Sequence, residues 1–294
     1  MAYRKQKRGK IDNCNICGKV EKLTWDHVPP KSCFNNKKVE YNTFYDEVNN
    51  TKAMLTGDEL NRYTISQNGV MYRSLCDKCN NDLLGAKYDK ELECLTKFTH
   101  SLLTSKLTLP SNISLSLNIN KLSRSIVGHI LAARNHFEAQ VLTDLKLREY
   151  FLDTSSLPPK EMKLLFRIYP YETIVIHRDC VVGSMHKNAE LPGGSLDCLF
   201  FYPIAFLLCS DDSKCKLLDM FSKCTTRIDD VIELPIDLSS HKHPNSNMVR
   251  HFLWPTNVSG DKYGASFLLA SGASSDSVIA RAKNVEIKNR PSTK

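Results

Sequence analysis

Apolar and polar positions change rhythm several times along this chain, and each change predicts an element. Within Lys22–His27 the residues Leu23, Thr24 and Trp25 have strand character, and Val28-Pro29-Pro30 removes two successive backbone donors, which ends the ladder there. Asn68-Gly69 is a turn dipeptide, followed by Val70–Leu75 as a second strand that delivers Cys76. Leu83, Leu84, Tyr88, Leu92 and Leu95 then recur at helical spacing, so a helix is predicted from Cys79 onward, with Asn80 in its first turn. The rhythm breaks at Leu109-Pro110-Ser111-Asn112 and a short alternating LSLNI stretch. Lys121–Phe137 reads as an amphipathic helix, with Leu122, Ile126 and Ile130 on one face and Val127 and Leu131 beside them, a stripe suited to a core. Lys163–Tyr169, Thr173–His177, Leu196–Tyr202, Ile204–Cys209 and Ser266–Ala270 read as strands, with loops at Pro158-Pro159 and Pro192-Gly193-Gly194.

These elements predict an α+β fold: an N-terminal ββα unit over residues 1–105 and a mixed α+β accessory domain over 106–294. At 294 residues and 41% hydrophobic, the chain can build two cores. Its longest apolar run, Cys198–Cys209, is too short to span a membrane and contains Pro203. The net charge of +8 and the basic start, Arg4, Lys5, Lys7, Arg8 and Lys10, suit a polyanionic partner, although a solvated tail has the same composition. No secretory leader is read, and 11 cysteines, an odd number without a framework pattern, suit a reducing cytoplasm better than disulfides.

Four of those cysteines carry a specific signal. Cys14-x-x-Cys17 and Cys76-x-x-Cys79 are two knuckles, each able to turn two thiolates toward one zinc ion and together able to complete a closed tetrahedral site. Cys33, Cys94, Cys180, Cys198, Cys209, Cys215 and Cys224 lie mostly among apolar neighbours and read as small core residues. Between the knuckles stands Asp26-His27 at a strand end, and Asn80 follows the second knuckle directly. With zinc pinning the helix start against the first hairpin, a carboxylate, an imidazole and an amide would share one small gap.

The set Cys14-x-x-Cys17, Asp26-His27 with Pro29, Leu75-Cys76-x-x-Cys79-Asn80 and Gly85 resembles the HNH endonuclease superfamily, and within it the treble-clef branch that includes recombination endonuclease VII. The resemblance covers the first third of the chain. It implies a metal-dependent phosphodiester hydrolase acting on DNA, in restriction or antiviral defence in some relatives. Asp26 and Asn80 would hold a catalytic Mg2+ or Mn2+, His27 would activate water, and Cys14, Cys17, Cys76 and Cys79 would hold structural Zn2+. An imidazole with a pKa near ~6.5 suits the water-activating role, and a hard cation with few protein ligands suits the phosphate. RNA remains an alternative substrate, and a non-catalytic zinc-finger module binding nucleic acid or protein is the alternative reading.

The sequence departs from the family in places. The middle asparagine of the motif has several candidates, Asn68, Asn49 and Asn50. Leu84 stands where some relatives carry a second histidine, and the stretch from Asn35 to Asn68 lengthens the gap between knuckles, which loop-closure entropy tolerates. Asp82 is a candidate outer contact to the ion; Arg73 and Lys87 are candidate phosphate contacts, and each equally suits a solvated face. His100, His129, His136, His177, His186, His241, His243 and His251 form no convincing ligand set, His241-x-His243 being the best of them. The second domain shows no nucleotide fingerprint, leaving target recognition or the sensing of a ligand or protein as its roles; the oligomeric state is not legible.

Overall fold

The computed structural model describes residues 8–43, 64–184, 194–210, 217–238, 266–270 and 278–282, and they form a mixed α+β arrangement. In the first third lie β1 (Ile11–Asn13), β2 (Val20–His27), β3 (Val39–Thr43), β4 (Thr64–Ser66) and β5 (Met71–Cys76). β1, β2 and β5 form a small antiparallel sheet. Leu23 pairs with Cys76 and Thr24 with Leu75; the register then slips past Ser74, so that Trp25 pairs with Arg73, Asp26 with Tyr72 and His27 with Met71. An extra residue in one strand bends it and resets the in-out alternation. Leu23 and Asp26, three residues apart, are therefore both buried, and Ser74 turns inward to donate to the Ala132 carbonyl at 2.7 Å.

The helix expected from Cys79 is present, but its first stretch, Lys78–Tyr88, is wound as a π-helix before the chain tightens into α1 (Asp89–Thr104). The wider winding is seen in the bond from the Asp89 N–H to the Leu84 carbonyl, five residues back. It keeps Cys79, Asn80, Leu84 and Tyr88 all on the buried side, and α1 continues the seam with Leu92, Leu95, Thr96 and Thr99.

α2 (Ile119–Ala132) starts where Asn118 accepts from the Lys121 N–H at 2.9 Å, an N-cap bond. The predicted stripe is correct, but the helix is enclosed on every side and stops short of Phe137. Its last carbonyls are taken by side chains from elsewhere: Arg178 donates to Ile130, Asn15 donates to Leu131 at 3.1 Å, and Ser74 holds Ala132. α3 (Leu142–Leu152) packs beside it.

The remaining strands are β6 (Asn112–Leu117), β7 (Met162–Ile168), β8 (Ile174–Ser184), β9 (Gly194–Phe201), β10 (Ile204–Ser210), β11 (Leu218–Asp219), β12 (Ile232–Asp237), β13 (Ser266–Ala270) and β14 (Val278–Ala282). β6 pairs with β12. Among the described residues the main sheet has nine strands in the order β11-β7-β10-β9-β8-β14-β3-β4, with β13 also on β8. The apolar run Cys198–Cys209 is the β9-β10 hairpin, and among the described residues no helix is long and apolar enough to cross a membrane.

β3 and β4, from the first third, extend the sheet through the β14-β3 pairing, where Ala280 faces Tyr41. One apolar core runs from Cys14 through Leu122 and Ile126 to Ala280. Packing is thus continuous across residue 105, where the sequence suggests separate cores. Between α2, α3 and β8 lies a buried ionic knot: Asp144 accepts from Arg134 Nε at 3.0 Å and Arg178 Nη2 at 2.7 Å, with Arg148 Nη2 at 3.7 Å.

Candidate metal centre and active site

The two knuckles meet as their spacing predicts. Cys14, Cys17, Cys76 and Cys79 each bring Sγ within 4.8 Å of the others. Gly18, at φ +73°, turns the chain out of the first knuckle, its N–H bonded to the Cys14 carbonyl at 2.9 Å, and the Cys76 N–H reaches Cys14 Sγ at 3.3 Å. Hydrogen bonding from Cys79 holds Cys14 down to about 5, while burial pushes Cys76 up to about 11. Four thiols facing one point, one of them readily ionised, are a donor set a divalent cation such as zinc would satisfy.

Asn15, inside the first knuckle, ties this cluster to the rest of the chain. Its amide donates to the Leu131 and Arg134 carbonyls at 3.1 Å each, and its own carbonyl accepts from Arg148 Nε at 2.8 Å. Arg8, read as part of a basic arm, is instead nearly buried: it bonds Asp12 at 2.9 Å and Asn15 Oδ1 at 2.5 Å, so it is committed inside the fold. Arg4, Lys5 and Lys7 lie outside the described residues.

Asp26 and His27 close β2, and Asn80 is hydrogen-bonded to the same strand. Asn80 spends both amide hydrogens on β2, donating to Thr24 Oγ1 at 2.9 Å and the Trp25 carbonyl at 3.2 Å. Its side-chain oxygen is then the group left to offer. Asp26 is buried, and burial raises its pKa despite the opposing pull of His129. Such a carboxylate gains from a cation beside it. Burial lowers the His27 pKa, keeping the ring neutral, while its ring is hydrogen-bonded to the Asn68 backbone. His27 Nε2 is buried with no hydrogen-bond partner.

Of the three candidate asparagines, Asn68 supplies that backbone contact, and Asn49 and Asn50 lie outside the described residues. Bracing by a carboxamide comes from a residue the sequence reading passed over. Asn35 donates to the Pro29 carbonyl at 2.7 Å and the Val70 carbonyl at 3.0 Å, and accepts from the Val70 N–H at 2.8 Å. Gly69 sits under this clamp at φ +70°, where a Cβ would lie 2.1 Å from Asn35 Oδ1, so both the turn and the close approach require glycine.

His129 was also missed. It projects from α2, fully buried, with Nδ1 3.4 Å from Asp26 Oδ2 and Nε2 3.1 Å from Asp89 Oδ1, and Ser125 Oγ donates to the same Asp89 oxygen at 2.6 Å. Burial opposes a charge on this ring, but Asp89 and Asp26 on either side push its pKa up to about 10. A histidine on an apolar helical stripe reads as core, and only the tertiary contact distinguishes it. Asp82 is exposed. Arg73 stacks over Trp25 at 4.6 Å and Lys87 lies 5.4 Å from the Tyr88 ring. His241 and His243 lie outside the described residues.

Compared with protein-family models, curated proteins and solved structures, the chain matches none.

Proposed function

We propose that this chain is an HNH endonuclease of the treble-clef kind, zinc-stapled by Cys14, Cys17, Cys76 and Cys79, that hydrolyses DNA with a divalent cation held by Asp26 and Asn80. The observation that carries the reading is the state of His27: a half-buried imidazole whose pKa is lowered, braced through the Asn68 backbone, with Nε2 enclosed and without a hydrogen-bond partner and Asp26 beside it. A core histidine without a task would be expected to have that nitrogen satisfied.

In this reading Nε2 of His27 takes the proton of the water that attacks phosphorus, and the Asn68 contact fixes the ring's tautomer and direction. Asp26 supplies negative charge and Asn80 a neutral oxygen at one small place, pinned there by the bonds Asn80 makes to Thr24 and Trp25. A magnesium or manganese ion bound there would polarise the phosphate and steady the charge growing on the leaving oxygen. Burial of Asp26 excludes competing water and strengthens its hold on a cation. Arg73, propped on the exposed Trp25, is available to a phosphate at the rim.

The test is cleavage of plasmid, linear and single-stranded DNA and of RNA by zinc-loaded full-length protein, with magnesium or manganese added. Cutting of DNA that EDTA stops is expected. His27→Ala should lose about 10²- to 10⁴-fold in rate, while zinc content, melting temperature and DNA affinity stay at wild-type levels. Cutting by His27→Ala at the wild-type rate overturns the mechanism. A DNA shift without any cleavage under all these metals favours the binding-module reading, and preference for RNA changes the substrate while leaving the site intact.

A further inference from the structure

Asp26 Oδ2 and His129 Nδ1 are both buried and face one another at 3.4 Å as an ion pair, and neither atom has a closer hydrogen-bond partner. A charge-assisted N–H···O bond closes to about 2.7–2.9 Å. The observed separation is longer than that. Two atoms bound to one cation at about 2.0–2.1 Å stand roughly 2.8–3.0 Å apart at an octahedral angle and about 3.3–3.4 Å apart at a tetrahedral one. The separation of Asp26 and His129 falls at the upper end of these values.

The other side of the ring supports the same use. A histidine that ligates a metal generally gives its second N–H to a carboxylate, which fixes the tautomer and leaves the first nitrogen's lone pair for the ion. His129 Nε2 lies 3.1 Å from Asp89 Oδ1, and Asp89 is itself held by the Ser125 hydroxyl at 2.6 Å, one helical turn before His129 on the same helix. This is a built arrangement: Asp89, His129 and Asp26 form a chain of carboxylate, imidazole and carboxylate between the start of α1, α2 and β2.

We infer that His129 is a third protein ligand to the catalytic cation, joining Asp26 through Nδ1, with Asp89 as its positioning residue. The inference rests on the proposed reading of Asp26 as a metal ligand and goes beyond it, because His129 lies outside the ββα motif. The ligand set becomes carboxylate, amide and imidazole, the ion taking the place of the Nδ1 proton, which leaves to solvent. Imidazole favours transition ions, so manganese, cobalt or nickel should be held more tightly than magnesium. The catalytic centre is then incomplete without a helix that follows the motif-bearing segment, beyond residue 105, and that segment alone would not assemble it.

Pulsed electron paramagnetic resonance of Mn2+ on the zinc-loaded full chain reads this directly, since an imidazole nitrogen on the ion gives a ¹⁴N coupling. His27→Ala removes the neighbouring histidine, and in that variant the coupling should persist with Mn2+ affinity close to wild type. In His129→Gln the coupling should vanish and affinity fall at least tenfold, and Asp89→Asn should weaken binding about 10- to 100-fold while keeping the coupling. Absence of coupling in His27→Ala overturns the inference without any substitution at residue 129, so a misfolded His129 variant cannot shield it. Unchanged Mn2+ affinity in a folded His129→Gln overturns it too. Cleavage measured in parallel separates the two readings: coupling through His129 without cleavage of any nucleic acid leaves the metal ligand standing and removes the nuclease, whereas cleavage with no coupling in His27-intact or His27→Ala protein does the reverse.

Discussion

His177 stands in the middle of β8, fully buried, and desolvation pulls its pKa down to about 3. The sign of the resulting pH dependence follows from where the proton binds. The folded chain keeps this ring neutral, whereas the unfolded chain takes up a proton near the ordinary 6.5. Stability should therefore be intact above 6.5 and drain as pH falls from there toward 3, with a limiting slope of about 1.4 kcal/mol per pH unit from this one group. Melting curves from pH 7 to 4 should show a shallower decline for His177→Leu than for wild type, and parallel declines would refute the assignment. The same scale shows what the sequence could and could not reveal. Asp26, His27 and Asn80 could be proposed from the sequence because turn, strand-end and knuckle signals surround them. His129 and Asn35 could not: one resembles any polar residue on a buried stripe, the other sits at the start of a polar stretch, and both acquire their roles only from contacts with residues dozens of positions away.

At the scale of elements, α2 is the hub. Periodicity located it but implied one buried face, whereas the π-wound segment, α3 and the sheet enclose it from all sides. Gly128 marks the tightest of these contacts, where an added Cβ would lie 2.5 Å from Leu84 Cδ1 and 2.6 Å from Phe151 Cε2. Gly128→Ala should cost about 1–3 kcal/mol in urea unfolding through overpacking, and it should move His129, the next residue, away from Asp26. The strands were recovered unevenly for a physical reason. β9 and β10 are buried on both faces and read as continuous apolar runs, so they stood out. The π-winding did not, because Leu84, Tyr88, Leu92 and Leu95 fit an α-helical spacing, and only the demand to bury Cys79 and Asn80 together opens the turn. β14 is short and, among the described residues, pairs with β3 and β8, both remote in sequence, which no local pattern records.

For the whole molecule, two buried clusters carry the stability. Cys76→Ser removes one thiol from the knuckles, and because structural zinc contributes on the order of 10 kcal/mol to small metallo-folds, loss of an ion held there should unfold the small sheet and with it abolish the proposed cleavage. Metal analysis alongside calorimetry checks this; a zinc-free mutant that melts like wild type would exclude a structural role for the site. Asp144 is the second point. Replacing it with alanine leaves Arg134, Arg148 and Arg178 buried around no anion, and a cost of about 3–5 kcal/mol is expected from breaking such a group. Chemical denaturation of Asp144→Ala measures it, and a change under 1 kcal/mol would show that water reaches the knot.

The β14-β3 ladder has a consequence for how the chain can be divided. Val39–Thr43 and Val278–Ala282 lie far apart in the sequence yet are laced edge to edge, and Leu107, in the connection between α1 and β6, is exposed. A polypeptide woven this way behaves as one object even after its thread is cut: two separately synthesised pieces, divided at Leu107, should find each other and restore the fold, while either piece alone offers an unzipped strand edge and precipitates.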